Sequence, residues 1–314
     1  MMLSLLTTAK SFIDTYAVIQ HRTLSNWRSL ESTAEITFFG ASEGAKSVCR
    51  EMNIRQVQDV ETTKMGLPHF DSIVRWAQSN TQHDVQVYLN ADILLPPDIG
   101  KYLAKLPSGP FLMVGQRVDL KESTVFEPDD FYEQLRHVLQ ARQAEVHRPS
   151  GMDFFVFRRG MFQDLKPLIV GRGGYDSALV AYCLRKSIPV IDASFAFPVV
   201  HQWHDYSHVK NGKQEAHYGV EAQLNLNIHG LRGFAPNCLD ADWMMLRNGE
   251  IVPNRRRSCL RQLEMEWYYK QGWMWCPRFN QLWNMITRGG RWLKQPDWAL
   301  TPRQGETGPR ARRP

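Results

Sequence analysis

The chain has 314 residues, of which 43% are hydrophobic and 22% are charged, the composition of a soluble globular protein with one large α/β domain or two small ones. The net charge is +6, but residues 255–314 hold thirteen basic and four acidic residues, so this end carries +9 and the remainder −3. No run approaches the roughly 18 consecutive apolar residues of a membrane span, and the apolar start lacks the basic region of a signal peptide.

Strands and helices alternate along the first part of the chain. Alternating β-branched and aromatic residues predict strands, and apolar residues at helical spacing predict helices. This alternation predicts an α/β fold with a mostly parallel sheet flanked by helices. The predicted strands are 3–8, 35–40, 54–57, 85–89 and 111–115, and the predicted helices are 16–30, 43–52 and 69–78.

The second part of the body is less regular. Residues 117–150 are polar, and we predict an irregular insertion or flap there with one helical patch at 131–142. Further on, the pattern predicts a strand at 151–157, a helix at 175–186, a strand at 188–191 and a histidine-rich loop at 201–208.

An acidic residue follows the most regular predicted strand. The strand at 85–89 runs into Asn90-Ala91-Asp92. An acid at the end of a buried strand lies at the sheet edge where α/β proteins bind ligands, and its carboxylate can hold a divalent cation. The alternative is that Asp92 caps a helix beginning near Pro97. The strand alone favours neither interpretation.

A glycine-rich turn leads into the helix predicted at 175–186. Gly171, Gly173 and Gly174 allow close approach of the backbone to a ligand, and Asp176 stands at the helix entrance, where it could deprotonate an acceptor hydroxyl. The competing interpretation, favoured for the motif alone, is that Asp176 serves the first turn of the helix.

Three histidines and an acid lie within residues 201–208. Histidine is the commonest transition-metal ligand, so His201 or His204 could complete a site begun by Asp92. Ordinary loop hydrogen bonds are the alternative for most of these histidines.

A weaker motif is Gly66-Leu67-Pro68. It predicts a tight turn before a helix, a place suited to phosphate or ribose.

These motifs, in this order, resemble the GT-A family of nucleotide-sugar glycosyltransferases, close to its family-2-like branch. The resemblance runs over about residues 3–242. It rests on Thr7-Thr8, 38–40, 66–68, 88–92, 151–157, 171–176 and 201–208.

The resemblance implies a Rossmann-like GT-A fold and a metal-assisted transfer from a UDP- or GDP-sugar to an acceptor hydroxyl, with Mn²⁺ or Mg²⁺ as cofactor. It implies that Asp92, His201 and His204 bind the metal and that Asp176 is the catalytic base of an inverting reaction. Asn90 replaces the first acid of the family's Asp-x-Asp motif and carries no charge. The implied donor contacts are Thr7, Thr8, Gly40, Gly66, Pro68, Asn90 and Asp153.

Two other functions compete with this one. A nucleotidyltransferase of the same fold would carry a glycine-rich loop after its first strand, and residues 7–12 contain no glycine. A non-catalytic membrane- or nucleic-acid-binding module would use the basic end, but it leaves Asp92, Asp176 and His201 unexplained. We therefore expect an enzyme and no nucleic-acid partner.

The C-terminal part has its own composition. Six of the ten tryptophans lie in residues 255–314, and tryptophan with basic residues suits a membrane interface near a glycan or lipid-linked acceptor. The alternative is a helical pair packed on the body. We therefore divide the chain into a GT-A domain at 1–254, a basic aromatic helical extension at 255–301 and a disordered tail at 302–314. Five scattered cysteines without a Cys-x-x-Cys pair indicate a reducing compartment, and we expect the cytoplasm.

Overall fold

The computed structural model describes residues 2–31, 33–205, 212–231 and 235–254. The extension predicted at 255–301 and the tail predicted at 302–314 lie outside the described residues, as does His208.

Thirteen strands lie in the described part of the chain. They are β1 (Leu3–Thr7), β2 (Thr33–Phe39), β3 (Arg55–Val57), β4 (Val85–Leu89), β5 (Ile93–Leu94), β6 (Leu112–Val114), β7 (Arg117–Leu120), β8 (Ala144–Val146), β9 (Phe154–Arg158), β10 (Val190–Asp192), β11 (Val199–His201), β12 (Trp243–Met245) and β13 (Ile251–Pro253).

Eight α-helices connect these strands within the same described ranges. They are α1 (Asp14–Ser29), α2 (Ala45–Glu51), α3 (Phe70–Asn80), α4 (Ile99–Leu103), α5 (Phe131–Gln140), α6 (Tyr175–Arg185), α7 (Gly212–Tyr218) and α8 (Val220–Ile228). All strands and helices predicted for the first 115 residues are present, shifted by at most a few residues at their ends.

The large sheet is mostly parallel, as predicted. Its nine strands have the order β13-β12-β10-β6-β9-β4-β1-β2-β3. Strand β9 is antiparallel to its neighbours β4 and β6, and β13 is antiparallel to β12, whereas the other pairs are parallel. The carboxyl ends of β1, β2 and β4 therefore share one edge of the sheet. Strand β9 begins at that edge, because Phe154 pairs with Leu89.

Successive residues of the central strands face opposite sides of the large sheet. Leu5 and Val87 contribute to one hydrophobic cluster, which includes Trp27 of α1. Leu6 and Tyr88 contribute to the other, which includes Phe70 of α3. Each such side chain stabilises the fold by about 1.5–3 kcal/mol on burial. The two clusters explain why these strands carry apolar side chains on both faces.

A second, smaller sheet was not predicted. Its strand order is β5-β11-β7-β8, and Val118, Leu120 and Val200 pack with Phe131 of α5 in a third cluster. The prediction that residues 117–150 are irregular apart from one helix was therefore wrong, because β7 and β8 flank α5. These strands have four and three residues, too few for alternation to stand out from chance.

Candidate active site

The polar loops of β1 and β4 meet at the carboxyl edge of the large sheet. The Thr7 hydroxyl donates to the Leu89 carbonyl over 2.8 Å, and Thr8 Oγ1 lies 3.2 Å from the Tyr88 hydroxyl. Both threonines therefore lie beside the strand that carries Asn90 and Asp92.

Asp92 lies in a turn between β4 and β5 and does not cap a helix, since the next helix, α4, begins at Ile99. Helix α1 fixes the chain just beyond this turn: Trp27 Nε1 donates to the Ile93 carbonyl over 2.9 Å. Asn26 also accepts a hydrogen bond from the Leu95 amide over 2.8 Å. These buried contacts hold the backbone that follows Asp92 in place, and they thereby help to fix the position of the Asp92 side chain.

The structure brings Asp92 together with His201 and His204. His204 Nε2 lies 3.0 Å and His201 Nε2 3.9 Å from Asp92 Oδ2. One ligand atom from each residue can be chosen so that all lie within 4.8 Å of one another. The antiparallel pairing of β11 with β5 places His201 opposite Ile93, immediately after Asp92. His201 thus ends a strand, whereas a loop was predicted for it.

The chemistry of this group fits a divalent cation. Asp92 is buried, and its Oδ1 atom has no hydrogen-bond partner among the described residues. Burial alone would raise the pKa of Asp92, but His201, His204 and Lys10 outweigh it and lower that pKa well below its usual range. Burial also lowers the pKa of His201, which favours the neutral imidazole. An ionised carboxylate and a neutral imidazole are the forms that bind metals.

Lys10 belongs to the same group but was not predicted as a site residue. Its ammonium nitrogen lies 3.0 Å from His204 Nε2, 3.9 Å from Asp92 Oδ2 and 4.7 Å from the ring centroid of Tyr16. Its position in the sequence, two residues after Thr8 in the loop at the carboxyl end of β1, was the feature that could have identified it.

Asn90 is joined to the small sheet through Asp153. The Asn90 amide donates to Asp153 Oδ1 over 2.9 Å, and the Arg117 guanidinium donates to the other Asp153 oxygen. Arg117 Nε also donates to Asp119 Oδ1 over 2.7 Å. Neither Arg117 nor Asp119 was predicted as a site residue. The alternation Arg117-Val118-Asp119-Leu120 places both charges on one face of β7, but four residues are too few to have identified them in the sequence.

Asp176 is the second residue of α6, and the residue that precedes the helix is Gly174, with φ of +86°. Asp176 Oδ1 accepts a hydrogen bond from the Ser177 amide over 2.8 Å. Burial raises the pKa of Asp176 to about 7, and the charge of Asp153 adds to that increase. A carboxyl group with this pKa suits proton transfer near neutral pH.

The remaining predicted donor contacts lie on other loops. Gly40 follows β2 with φ of +114°, and its amide donates to the Val57 carbonyl over 2.8 Å. Gly66 has φ of +80°, and the Pro68 carbonyl accepts from the Val170 amide over 3.1 Å. The loop with Gly66 and Pro68 is therefore attached to the chain leading into the glycine-rich turn.

None of the helices within the described ranges is both long and apolar enough to cross a bilayer.

Comparison with known proteins returns structural similarities only. No family model matches the sequence, and no curated protein matches it. Glucosyl-3-phosphoglycerate synthase from Mycobacterium tuberculosis, in complex with Mn²⁺, UDP-glucose and phosphoglyceric acid, is similar at 13% identity over 73% of this chain and 80% of its own, with a TM-score of 0.41. A mannosyltransferase from Pyrobaculum calidifontis, in complex with GDP-Man and Mn²⁺, is similar at 17% identity over 64% of this chain, with a TM-score of 0.38. The alignment covers 56% of that mannosyltransferase.

Proposed function

We propose that the protein is a glycosyltransferase of the GT-A type, which moves a sugar from a nucleoside-diphosphate donor to an acceptor hydroxyl. The observation that carries the proposal is the Asp92 carboxylate, with one buried oxygen unpartnered among the described residues and the other facing two imidazoles. This group lies where α/β proteins bind their ligands, outside the carboxyl ends of the strands.

Asp92, His201 and His204 would hold the divalent cation, whose chemistry when bound is to neutralise the charge of the departing diphosphate. The donor set favours Mn²⁺, because Mg²⁺ prefers oxygen ligands and two of these three groups are imidazoles. Asn90 is assigned to the donor and not to the metal in this proposal, and its amide nitrogen holds Asp153.

The side chains around this group have separate roles in the proposed reaction. Asp176, with a pKa of about 7, accepts the proton of the acceptor hydroxyl as that oxygen attacks the anomeric carbon. A single in-line attack of this kind inverts the anomeric configuration. Asp153, held by Asn90 and Arg117, orients sugar hydroxyls.

Donor recognition is assigned to the loops at the same edge of the sheet. Thr8 would contact the nucleoside, and the open backbone at Gly40 allows close approach of the donor. Thr7, which was also predicted to contact the donor, is fully buried with its hydroxyl bonded to the Leu89 carbonyl, so it supports this edge of the sheet instead. A side-chain carbon added at Gly40 or Gly66 would meet no atom within 4 Å. Gly66 and Pro68, attached to the chain before Asp176, would also contact the donor. A UDP- or GDP-sugar is the donor we propose.

A thermal-shift screen tests the proposal. UDP-, GDP-, dTDP- and CMP-sugars are added with Mn²⁺ or Mg²⁺, because a ligand that binds only the folded state raises the melting temperature by mass action. We expect one nucleotide class to stabilise the protein, and more strongly with metal. Asp92→Ala should lose the metal-dependent part of the shift.

The matched control is Asp84→Ala, which removes an exposed carboxylate whose partner is Arg158 on the large sheet. This variant should retain the full metal-dependent shift. If no sugar nucleotide stabilises the wild-type chain with either metal, the proposed function is wrong.

A further inference from the structure

Asp119 lies between two imidazole rings in the small sheet. The parallel pairing of β7 with β11 sets Asp119 directly opposite His201. Asp119 Oδ1 lies 3.2 Å from His201 Nδ1, and the other carboxylate oxygen contacts His147 Nδ1. The Asp119–His201 contact is therefore fixed by strand register.

Arg117 supports Asp119 from the same strand. Its Nε donates to Asp119 Oδ1 over 2.7 Å, and a second guanidinium nitrogen donates to Asp153. The Arg117 side chain is 16% exposed, and a guanidinium stays charged in proteins. Arg117 therefore keeps the Asp119 carboxylate at one place, facing the His201 ring.

The contact decides which ring nitrogen of His201 is free. A neutral imidazole carries one N–H, and a carboxylate accepts it. With the proton on Nδ1, the lone pair is on Nε2, which lies 3.9 Å from Asp92 Oδ2. Two electron-rich atoms then face each other, an arrangement that a cation bound between them stabilises.

We propose that Asp119 is a positioning residue for the metal site: it holds His201 in the Nδ1–H tautomer and turns Nε2 toward Asp92 and His204. The inference rests on the metal site of the proposed function. Carboxylates that accept the second ring proton of a metal-binding histidine typically change metal affinity by about 10- to 100-fold when they are removed. The small sheet thus serves to present His201.

The test measures Mn²⁺ affinity by isothermal titration calorimetry with the full chain, in the absence of any sugar nucleotide. Asp119→Ala should weaken Mn²⁺ binding about 10- to 100-fold. Asp119→Asn keeps an oxygen that accepts the proton on His201 Nδ1, so this variant should weaken Mn²⁺ binding less than Asp119→Ala does. Asp164→Asn, which changes an exposed carboxylate bound to Lys186, should bind Mn²⁺ as the wild type does.

A second measurement does not depend on the Asp119 variants being folded or on metal. In metal-free wild-type protein, ¹⁵N shifts of the His201 ring, assigned by their loss in His201→Gln, should show the Nδ1–H tautomer. The Nε2–H tautomer, or wild-type Mn²⁺ affinity in both Asp119→Ala and Asp119→Asn, would overturn the role of Asp119 alone. A wild-type chain that binds no Mn²⁺ would overturn the metal site and this role together.

Discussion

The Asn90 amide donates a hydrogen bond to Asp153 Oδ1 over 2.9 Å. This contact explains why the first position of the Asn-x-Asp motif carries no charge. A carboxylate at residue 90 would face the Asp153 carboxylate at hydrogen-bond distance. Asn90 therefore holds Asp153 in place and leaves Asp92 as the carboxylate of the proposed metal site.

Asn90→Asp should destabilise the protein in a pH-dependent manner. The neighbouring Asp153 charge raises the pKa of the new carboxyl group above its unfolded value, so its stabilising contribution is present at low pH and is lost as pH rises. We expect a loss of about 1–3 kcal/mol in unfolding free energy at pH 8 and a smaller loss at pH 5, measured by urea denaturation.

The control for this change is Asn248→Asp, an exposed amide that lies 3.4 Å from Glu250. There the new carboxyl group is in contact with water, so stability should change little at either pH. An equal loss at pH 5 and pH 8 for Asn90→Asp would show that the Asp153 charge is not the cause.

Asp176→Asn should separate binding from catalysis. If Asp176 is the base, the variant loses about 10²–10⁴-fold in transfer rate but retains the sugar-nucleotide thermal shift. In the wild type, the transfer rate should rise with pH through about 7, the pKa of Asp176. A pH–rate profile of both proteins checks this, and a variant with the wild-type rate would remove Asp176 from the mechanism.

Asp176→Asn should raise the stability of the protein at pH 8, although it lowers the transfer rate. The folded-state pKa of Asp176, about 7, lies above its unfolded value, so its contribution to stability is complete at low pH and is lost as pH rises through 7. Asp176→Asn should therefore be more stable than the wild type at pH 8, by on the order of 1–4 kcal/mol. The difference should shrink toward pH 5.

Lys10→Met should strengthen Mn²⁺ binding. The Lys10 ammonium lies 3.0 Å from His204 Nε2 and 3.9 Å from Asp92 Oδ2, so a cation bound by these two residues would be repelled by it. Unit charges 4 Å apart repel by about 1 kcal/mol even in bulk water, and a divalent ion roughly doubles this, so affinity should rise about tenfold or more.

Lys101→Met is the matched control for Lys10→Met, because Lys101 also pairs with an acid and lies over a tyrosine ring, that of Tyr102. Calorimetric titration with Mn²⁺ should show no change for this variant. Weaker Mn²⁺ binding by Lys10→Met would mean that Lys10 supports the metal site rather than opposing it.

The basic end of the chain lies outside the described residues, and its membrane role remains a prediction. A chain ending at Asn254 lacks thirteen basic residues and six tryptophans. If the end docks on an anionic bilayer, sedimentation with phosphatidylserine-containing liposomes should be lost in the truncated protein and weakened by salt in the full chain. A soluble truncated protein that sediments as before would contradict the membrane role, and an insoluble one would favour packing of this end on the body.

The sequence predicted most strands of the large sheet, because β-branched and aromatic residues are concentrated in them, but it did not predict β12 or β13. It also predicted the residue types that the fold gathers at Asp92, His201 and His204. An acid at a strand end and a cluster of histidines are local features, visible without knowledge of pairing.

The small sheet and its charges depend on non-local pairing, which is why they were missed. His201 meets Asp119 only because β11 pairs with β7, about eighty residues earlier. Arg117 reaches Asp153 across the two sheets. Neither Arg117 nor Asp119 belongs to a sequence motif, and Lys10 is a single lysine in a loop.

The most direct test of the account is the metal dependence of sugar-nucleotide hydrolysis by the wild type and Asp92→Ala. Release of nucleoside diphosphate is measured with Mn²⁺ and with a chelator, using the nucleotide class identified by thermal shift. We predict that the wild type is active only with Mn²⁺ and that Asp92→Ala loses activity at least about 100-fold. Asp92→Ala that hydrolyses the donor as fast as the wild type does would contradict the assignment of Asp92 as the carboxylate of the metal site.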